Sequence, residues 1–336
     1  MAMLPAIFGL KGPELGADEH RFFREADPLG FILFQRNCET PDQVRRLTAA
    51  LRDAVGRADA PILIDQEGGR VQRLKPPHWR AAPPAARFGE IGDRNAARAL
   101  EATRLNSLLI GRELMALGID VDCAPVLDLA WPGAHEVIGD RAFSADPDTV
   151  AALGRAVCEG LLAAGVLPVI KHLPGHGRAL VDSHHSLPTV EASRAELERS
   201  DFKPFRLLHD MPWGMTAHIL LTAIDPDRPA SLSPAVIADV VRGHIGFGGL
   251  LLCDDISMKA LDGKLAGLAK RALAAGCDIA LHCNGKLAEM SEIAGAIGAM
   301  GAATAERVRQ GRLRVGASSG LDLAAAAERL DMLMRA

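Results

Sequence analysis

The stretch Lys171–Pro188, KHLPGHGRALVDSHHSLP, holds one lysine, one aspartate and four of the chain's eleven histidines. These side chains can move protons and hold hydroxyl groups near neutrality, because imidazole titrates there without tuning and a carboxylate beside it can fix its tautomer. The residues just before, GVLPVI, are apolar and rich in β-branched side chains, which predicts a buried strand ending where the polar groups begin. Chemistry is therefore expected at the C-terminal end of a strand, not on a solvated histidine-rich loop. His184 lies beyond Gly175 and Gly177 on a long connection. The loop from Leu173 to Leu187 is accordingly expected to be displaced or poorly ordered in the absence of ligand.

Two further stretches carry reactive groups. LIDQEGGRVQRL places Asp65 at a strand end, Gly68-Gly69 in a tight turn, then Arg70 and Arg73. A carboxylate accepting hydroxyl hydrogen bonds beside a guanidinium that donates several suits a polyhydroxylated ligand, and equally describes a structural ion pair. GGLLLCDDISMKAL delivers Asp254 from a buried strand as a nucleophile or base, and Asp255 is expected to cap a following helix.

Positioning such groups requires a scaffold, and the chain offers eight short apolar runs: PAIFGL (5–10), GFILF (30–34), PILID (61–65), DVDCAP (120–125), LPVIKH (167–172), GMTAH (214–218), GGLLLCDD (248–255) and DIALHC (278–283). Helix signals separate them. Thr40-Pro41-Asp42-Gln43 and Asp146-Pro147 open amphipathic helices, Ser193 with Glu196 forms a capping box, and Ser233-Pro234 begins a helix that Gly246 closes. Near-continuous apolar strands alternating with helices predict an α/β fold of the (β/α)8 TIM-like barrel type. A doubly wound sheet is the alternative, but no G-x-G-x-x-G follows an early strand. Helices are expected from Cys283 onward, with GASSG (316–320) as a linker, so residues 1–336 are read as one catalytic barrel domain with extra C-terminal helices. In such a barrel the site lies at the strands' C-terminal ends, where Asp65, Lys171, His172, His218, Asp254 with Asp255, and His282 with Cys283 all fall.

Composition narrows the partners. The chain is 49% hydrophobic with a net charge of −4, which argues against nucleic acid or an anionic membrane and for a small or modest-sized substrate. Six cysteines without a C-x-x-C pair read as buried thiols in a reducing compartment. MAMLPAIFGL lacks a basic start and a cleavage site and reads as a first strand, and no apolar run reaches the ~18 residues of a membrane span. The expectation is a cytoplasmic, monomeric protein.

In this order, DQEGGRVQRL, VIGDRAFSADP, KHLPGHG with DSH, MTAH and CDDISMKA resemble the single-domain β-N-acetylhexosaminidases of glycoside hydrolase family 3, the bacterial peptidoglycan-recycling type above all. The resemblance implies a retaining exo-β-N-acetylglucosaminidase acting on GlcNAc-containing saccharides or muropeptides without a metal or other cofactor. It makes Asp254 the nucleophile, His184 with Asp182 the general acid/base pair, and Asp65, Arg73, Arg141, Lys171 and His172 the groups that hold GlcNAc. His218 matches the MTAH motif, with no role assigned by it. Leu173 stands where the family commonly has Phe, and Cys253 where it commonly has Ser. Three other readings stay open: a metal-dependent barrel hydrolase using Lys171, His172, His218 and Asp254, a GlcNAc phosphorylase of the same fold, and a noncatalytic sugar-binding protein.

Overall fold

A strand that is apolar at every position has no solvated face, so it must be covered on both sides, which is the situation of a parallel sheet wrapped by helices. The structure, a computed structural model, describes residues 3–183, 185–316 and 322–335. Eight parallel strands form its centre: β1 (Leu4–Gly9), β2 (Pro28–Leu33), β3 (Ile62–Ile64), β4 (Val121–Asp122), β5 (Leu167–Leu173), β6 (Trp213–Thr216), β7 (Leu250–Leu252) and β8 (Ala280–His282). All their residues are buried. The order is β7-β6-β5-β4-β3-β2-β1-β8, and the ring closes through a bridge between Leu252 and Ile279. This is the expected (β/α)8 barrel.

The closing seam combines main-chain bonds, among them Cys253 N–H to the Ile279 carbonyl (3.0 Å) and Asp278 N–H to the Leu251 carbonyl (2.8 Å), with side-chain ones. Leu281 spends its N–H on the Cys253 sulfur at 3.3 Å. Buried Asp278, just before β8, accepts from the Leu251 N–H (2.9 Å), Arg242 (2.8 Å), Arg307 (2.7 Å) and Thr304 (3.1 Å).

The expected caps are in place. Thr40 Oγ1 accepts from the Gln43 N–H at 3.3 Å, while Gln43 reaches back to the Glu39 N–H at 2.9 Å, and Asp146 accepts from the Thr149 N–H at 2.8 Å. Their helices, Pro41–Val55 and Pro147–Ala164, bury the apolar faces the spacing predicts. Ser193 and Glu196 form the capping box over a short helix, Arg194–Arg199. Ser233 Oγ accepts from the Val236 N–H at 3.1 Å, yet Val236–His244 winds as a π-helix where an ordinary α-helix was expected. Gly246 follows it at φ +76°, a left-handed conformation that suits a residue without Cβ.

Two features escape the strand count. Gln66–Gly68 and Val71–Gln72 form an antiparallel ribbon beyond β3, turned by Gly68 at φ +97°, where a Cβ would stand 2.3 Å from the Pro83 carbonyl. Thr189–Val190 and Leu220–Leu221 pair as a small parallel ribbon. After β8 come helices Leu287–Ala294, Ala302–Leu313 and Leu323–Arg335, the last docked on Ala96–Met115 through a bidentate Arg329–Glu101 pair. From residue 317 the expected linker lies outside the described residues. All six cysteines are free thiols, five of them buried. Among the described residues no helix is long and apolar enough to cross a membrane.

Candidate active site

A bulge prepares the site. In the β5–β6 pairing Lys171 faces Met215 and Leu173 faces Thr216, so His172 is an extra residue on β5. Regular alternation would send Lys171 and His172 to opposite faces, and the inserted residue lets both line one cleft. That cleft, of about 380 Å³, is also lined by Asp65, Arg73, Arg141, Asp182 and Asp254. The described residues expected to act in catalysis or to hold the sugar are therefore gathered in one cleft, whereas His218, Asp255, His282 and Cys283 do not line it. His184 lies outside the described residues.

One wall is an ionic chain. Asp65, directly after β3, accepts from Lys171 Nζ at 2.8 Å and from Arg73 at 2.9 Å. Lys171 Nζ also lies 2.6 Å from Glu67, which holds Arg141 through two bonds of 2.8 Å. Glu67 escaped the sequence reading, although it sits in the motif that yielded Asp65. Burial pushes the Asp65 carboxyl up, but Lys171 and Arg73 outweigh it and hold the group below the carboxylate range. Burial likewise raises Glu67, and Arg141 and Lys171 bring it down to about 2. Lys171 moves the other way: desolvation lowers it, and the two carboxylates more than restore its charged form. The chain stays ionised.

Asp128 is the second residue the sequence reading missed. Buried after β4, it accepts from His172 Nδ1 at 2.6 Å with one oxygen and from the His176 N–H at 2.6 Å with the other. An ionised carboxylate only accepts, so His172 Nδ1 carries a proton. His176, almost wholly buried, has its ring pushed down to about 4 by desolvation and stays neutral near pH 7. Its Nε2 lies 3.3 Å from Ser183 Oγ.

These contacts correct the expectation for the loop. Asp182 and Ser183 line the same cleft as Asp254, and the Ser183 carbonyl accepts from the Ala260 N–H at 3.1 Å. The described part of the loop is thus tied to the segment that follows Asp254. Two glycines give a loop freedom only where nothing else holds it, and His176 with Ala260 supplies anchors that spacing does not reveal.

Asp254 lies two residues beyond β7, and one of its oxygens accepts from the Asp255 N–H at 2.8 Å. Burial pushes its carboxyl up, while His218, His172, the Asp255 N–H and Lys171 bring it below the ordinary value. Asp255 caps no helix, because the next one begins at Leu265. It closes a turn, accepting from the Ser257 N–H (3.0 Å), the Ser257 hydroxyl (2.7 Å) and the Cys283 N–H (3.2 Å). His218 and His282 lie buried outside the cleft lining, His282 with Nε2 at 3.0 Å from Glu289. Among the described residues no group of three His, Cys, Asp or Glu side chains is placed to hold a metal ion.

A buried, ionised carboxylate facing a rigid wall of donors and acceptors is what a glycosidase of this fold requires. Sequence comparison agrees, for residues 20–317 match the Glycosyl hydrolase family 3 N terminal domain, and the chain belongs to that family. It is 41% identical over 288 residues to a beta-hexosaminidase of Alkalilimnicola ehrlichii, covering 84% of this chain and 82% of that one. Among solved structures it resembles NagZ from Neisseria gonorrhoeae in complex with N-trifluoroacetyl-D-glucosamine, with a TM-score of 0.90, 31% identity and 99% of both chains covered. It also resembles a family 3 beta-N-acetylglucosaminidase from Paenibacillus sp. str. FPU-7, with a TM-score of 0.84 and 31% identity, spanning 66% of that longer chain.

Proposed function

We propose that the protein is a retaining exo-β-N-acetylglucosaminidase that releases terminal β-linked GlcNAc, with peptidoglycan-derived muropeptide fragments as the natural substrates. The observation that carries this reading is the placement of the Asp254 carboxylate in one cleft with the Asp65–Lys171–Glu67–Arg141 chain. Asp65, Arg73, Arg141, Lys171 and His172 hold the sugar's hydroxyl and acetamido groups, with Glu67 fixing Lys171 and Arg141 and Asp128 fixing His172. Asp254 attacks the anomeric carbon as the glycosidic bond breaks, and His184, paired with Asp182, gives its proton to the leaving oxygen. Water, deprotonated by the same imidazole, then displaces Asp254 and releases the sugar with net retention. The whole chain acts as one catalytic domain, as a cytoplasmic monomer.

Hydrolysis is favoured over phosphorolysis by the charge pairing. Of the cations lining the cleft, Arg73 and Lys171 are paired with Asp65, Arg141 with Glu67 and Arg70 with Asp140. A phosphate acceptor gains least where the cations are already committed. The test compares kcat/KM for aryl β-glycosides of GlcNAc, GalNAc, glucose and xylose, with products analysed in phosphate buffer. A dominant GlcNAc rate with free GlcNAc as product is expected. GlcNAc-1-phosphate as the major product would overturn hydrolysis, and equal rates on glucose would overturn the sugar assignment.

A further inference from the structure

His218 is a fully buried imidazole, two residues beyond β6, that the chemistry above does not use. Its Nε2 lies 3.0 Å from the Asp255 carbonyl oxygen, and its Nδ1 lies 2.6 Å from Ser231 Oγ, itself fully buried. A carbonyl oxygen can only accept, so Nε2 carries the proton, and in the neutral ring Nδ1 accepts from the Ser231 hydroxyl. The ring therefore bridges two segments. On one side is the turn Ala230–Leu232, and on the other the residue that follows Asp254.

From these contacts we propose that His218 is a positioning residue for Asp254, acting through Asp255. The link has three parts. His218 fixes the Asp255 carbonyl, the Asp255 carboxylate is fixed by Ser257 and the Cys283 N–H, and the Asp255 N–H donates to Asp254 at 2.8 Å. A residue held at both its carbonyl and its side chain leaves its N–H little freedom, and that N–H orients the Asp254 carboxylate. None of the sugar-holding residues contributes to this link. Its loss should slow attack while leaving sugar binding alone, and it rests on the reading of Asp254 as the nucleophile.

The experiment uses the full chain and an aryl β-GlcNAc glycoside. His218→Asn places its amide near Nδ1 and forfeits the donor at Nε2, whereas His218→Gln keeps a donor near Nε2. Expected for Asn is a fall in kcat of about 10- to 100-fold, the scale of a reacting group misplaced by about an ångström, with KM and the inhibition constant of free GlcNAc unchanged. Gln should recover at least about tenfold of that loss, since it restores the hydrogen bond to the carbonyl. Wild-type kcat in the Asn variant, equal losses in both variants, or KM rising in step with the fall in kcat would each overturn the proposal. If His218→Asn does not fold, Ser231→Ala decides: a fall in kcat of about threefold at constant KM supports the link, and an unchanged kcat overturns it. Asp254→Asn is run alongside. Retained activity in that variant would mean that the nucleophile reading has failed, separately from any result at His218.

Discussion

The two halves of the barrel mouth use opposite physics. Across β3–β5 the wall is ionic, with three cations sharing two carboxylates in contacts of 2.6–2.9 Å. Across β6–β8 the segment that carries Asp254 is held by hydrogen bonds involving the main chain, from His218 to the Asp255 carbonyl and from the Ser257 and Cys283 N–H groups to the Asp255 carboxylate. The difference separates two tasks. In the proposed mechanism, paired ions present fixed dipoles to a neutral sugar, whereas an attacking carboxylate must keep its charge and its aim.

The sharpest way to break this division is Asp254→Asn, which keeps the shape and removes the proposed nucleophile. Turnover should fall by at least about 10⁴-fold, while GlcNAc binding, followed by calorimetry, persists. Near-wild-type rates would move the role to another residue and erase the division.

On the ionic side, Lys171→Met leaves Asp65 with Arg73 alone and Glu67 with Arg141 alone. Because each carboxylate keeps one cation, the cost should stay below the about 3–5 kcal/mol of a fully broken buried pair, to be read from urea unfolding, and the sugar KM should rise with it. A stability change under about 1 kcal/mol would show that solvent screens this wall and that it is no preformed structure.

The smallest effect concerns His176. Its ring sits at about 4 in the fold and near 6.5 when unfolded, so between those values the unfolded chain binds more protons. Stability from this group is complete above pH 6.5 and is lost as pH falls toward 4. The loss should be about 3 kcal/mol, and His176→Gln should abolish it, so the two unfolding midpoints converge as pH is lowered. Curves that stay parallel from pH 7 to 4 would mean that folding does not lower the His176 pKa.

All eight strands were legible because burial on both faces leaves an unmixed apolar run, and strand ends then pointed to Asp65, Lys171, His172 and Asp254. Partners remote in the chain were not. Glu67 meets Arg141 across 74 positions and Asp128 meets His172 across 44, and neither spacing leaves a local pattern. Asp255 misled for the opposite reason: an acidic residue after a strand resembles a helix cap, and only the structure shows its carboxylate spent on Ser257 and Cys283. The π-helix at Val236–His244 shares its apolar spacing with an α-helix and could not be told from one.

Asp278 shows what completes the ring. Two of its four donors, Thr304 and Arg307, come from helix Ala302–Leu313, which lies beyond the eighth strand. That helix is therefore a rivet through the seam between β7 and β8. A protease cut or stop codon just before residue 301 would leave all eight strands intact and still unfasten the hoop beside Asp254. Trimming the chain after its eighth strand is thus expected to cost Asp254 its footing before it costs the barrel its strands.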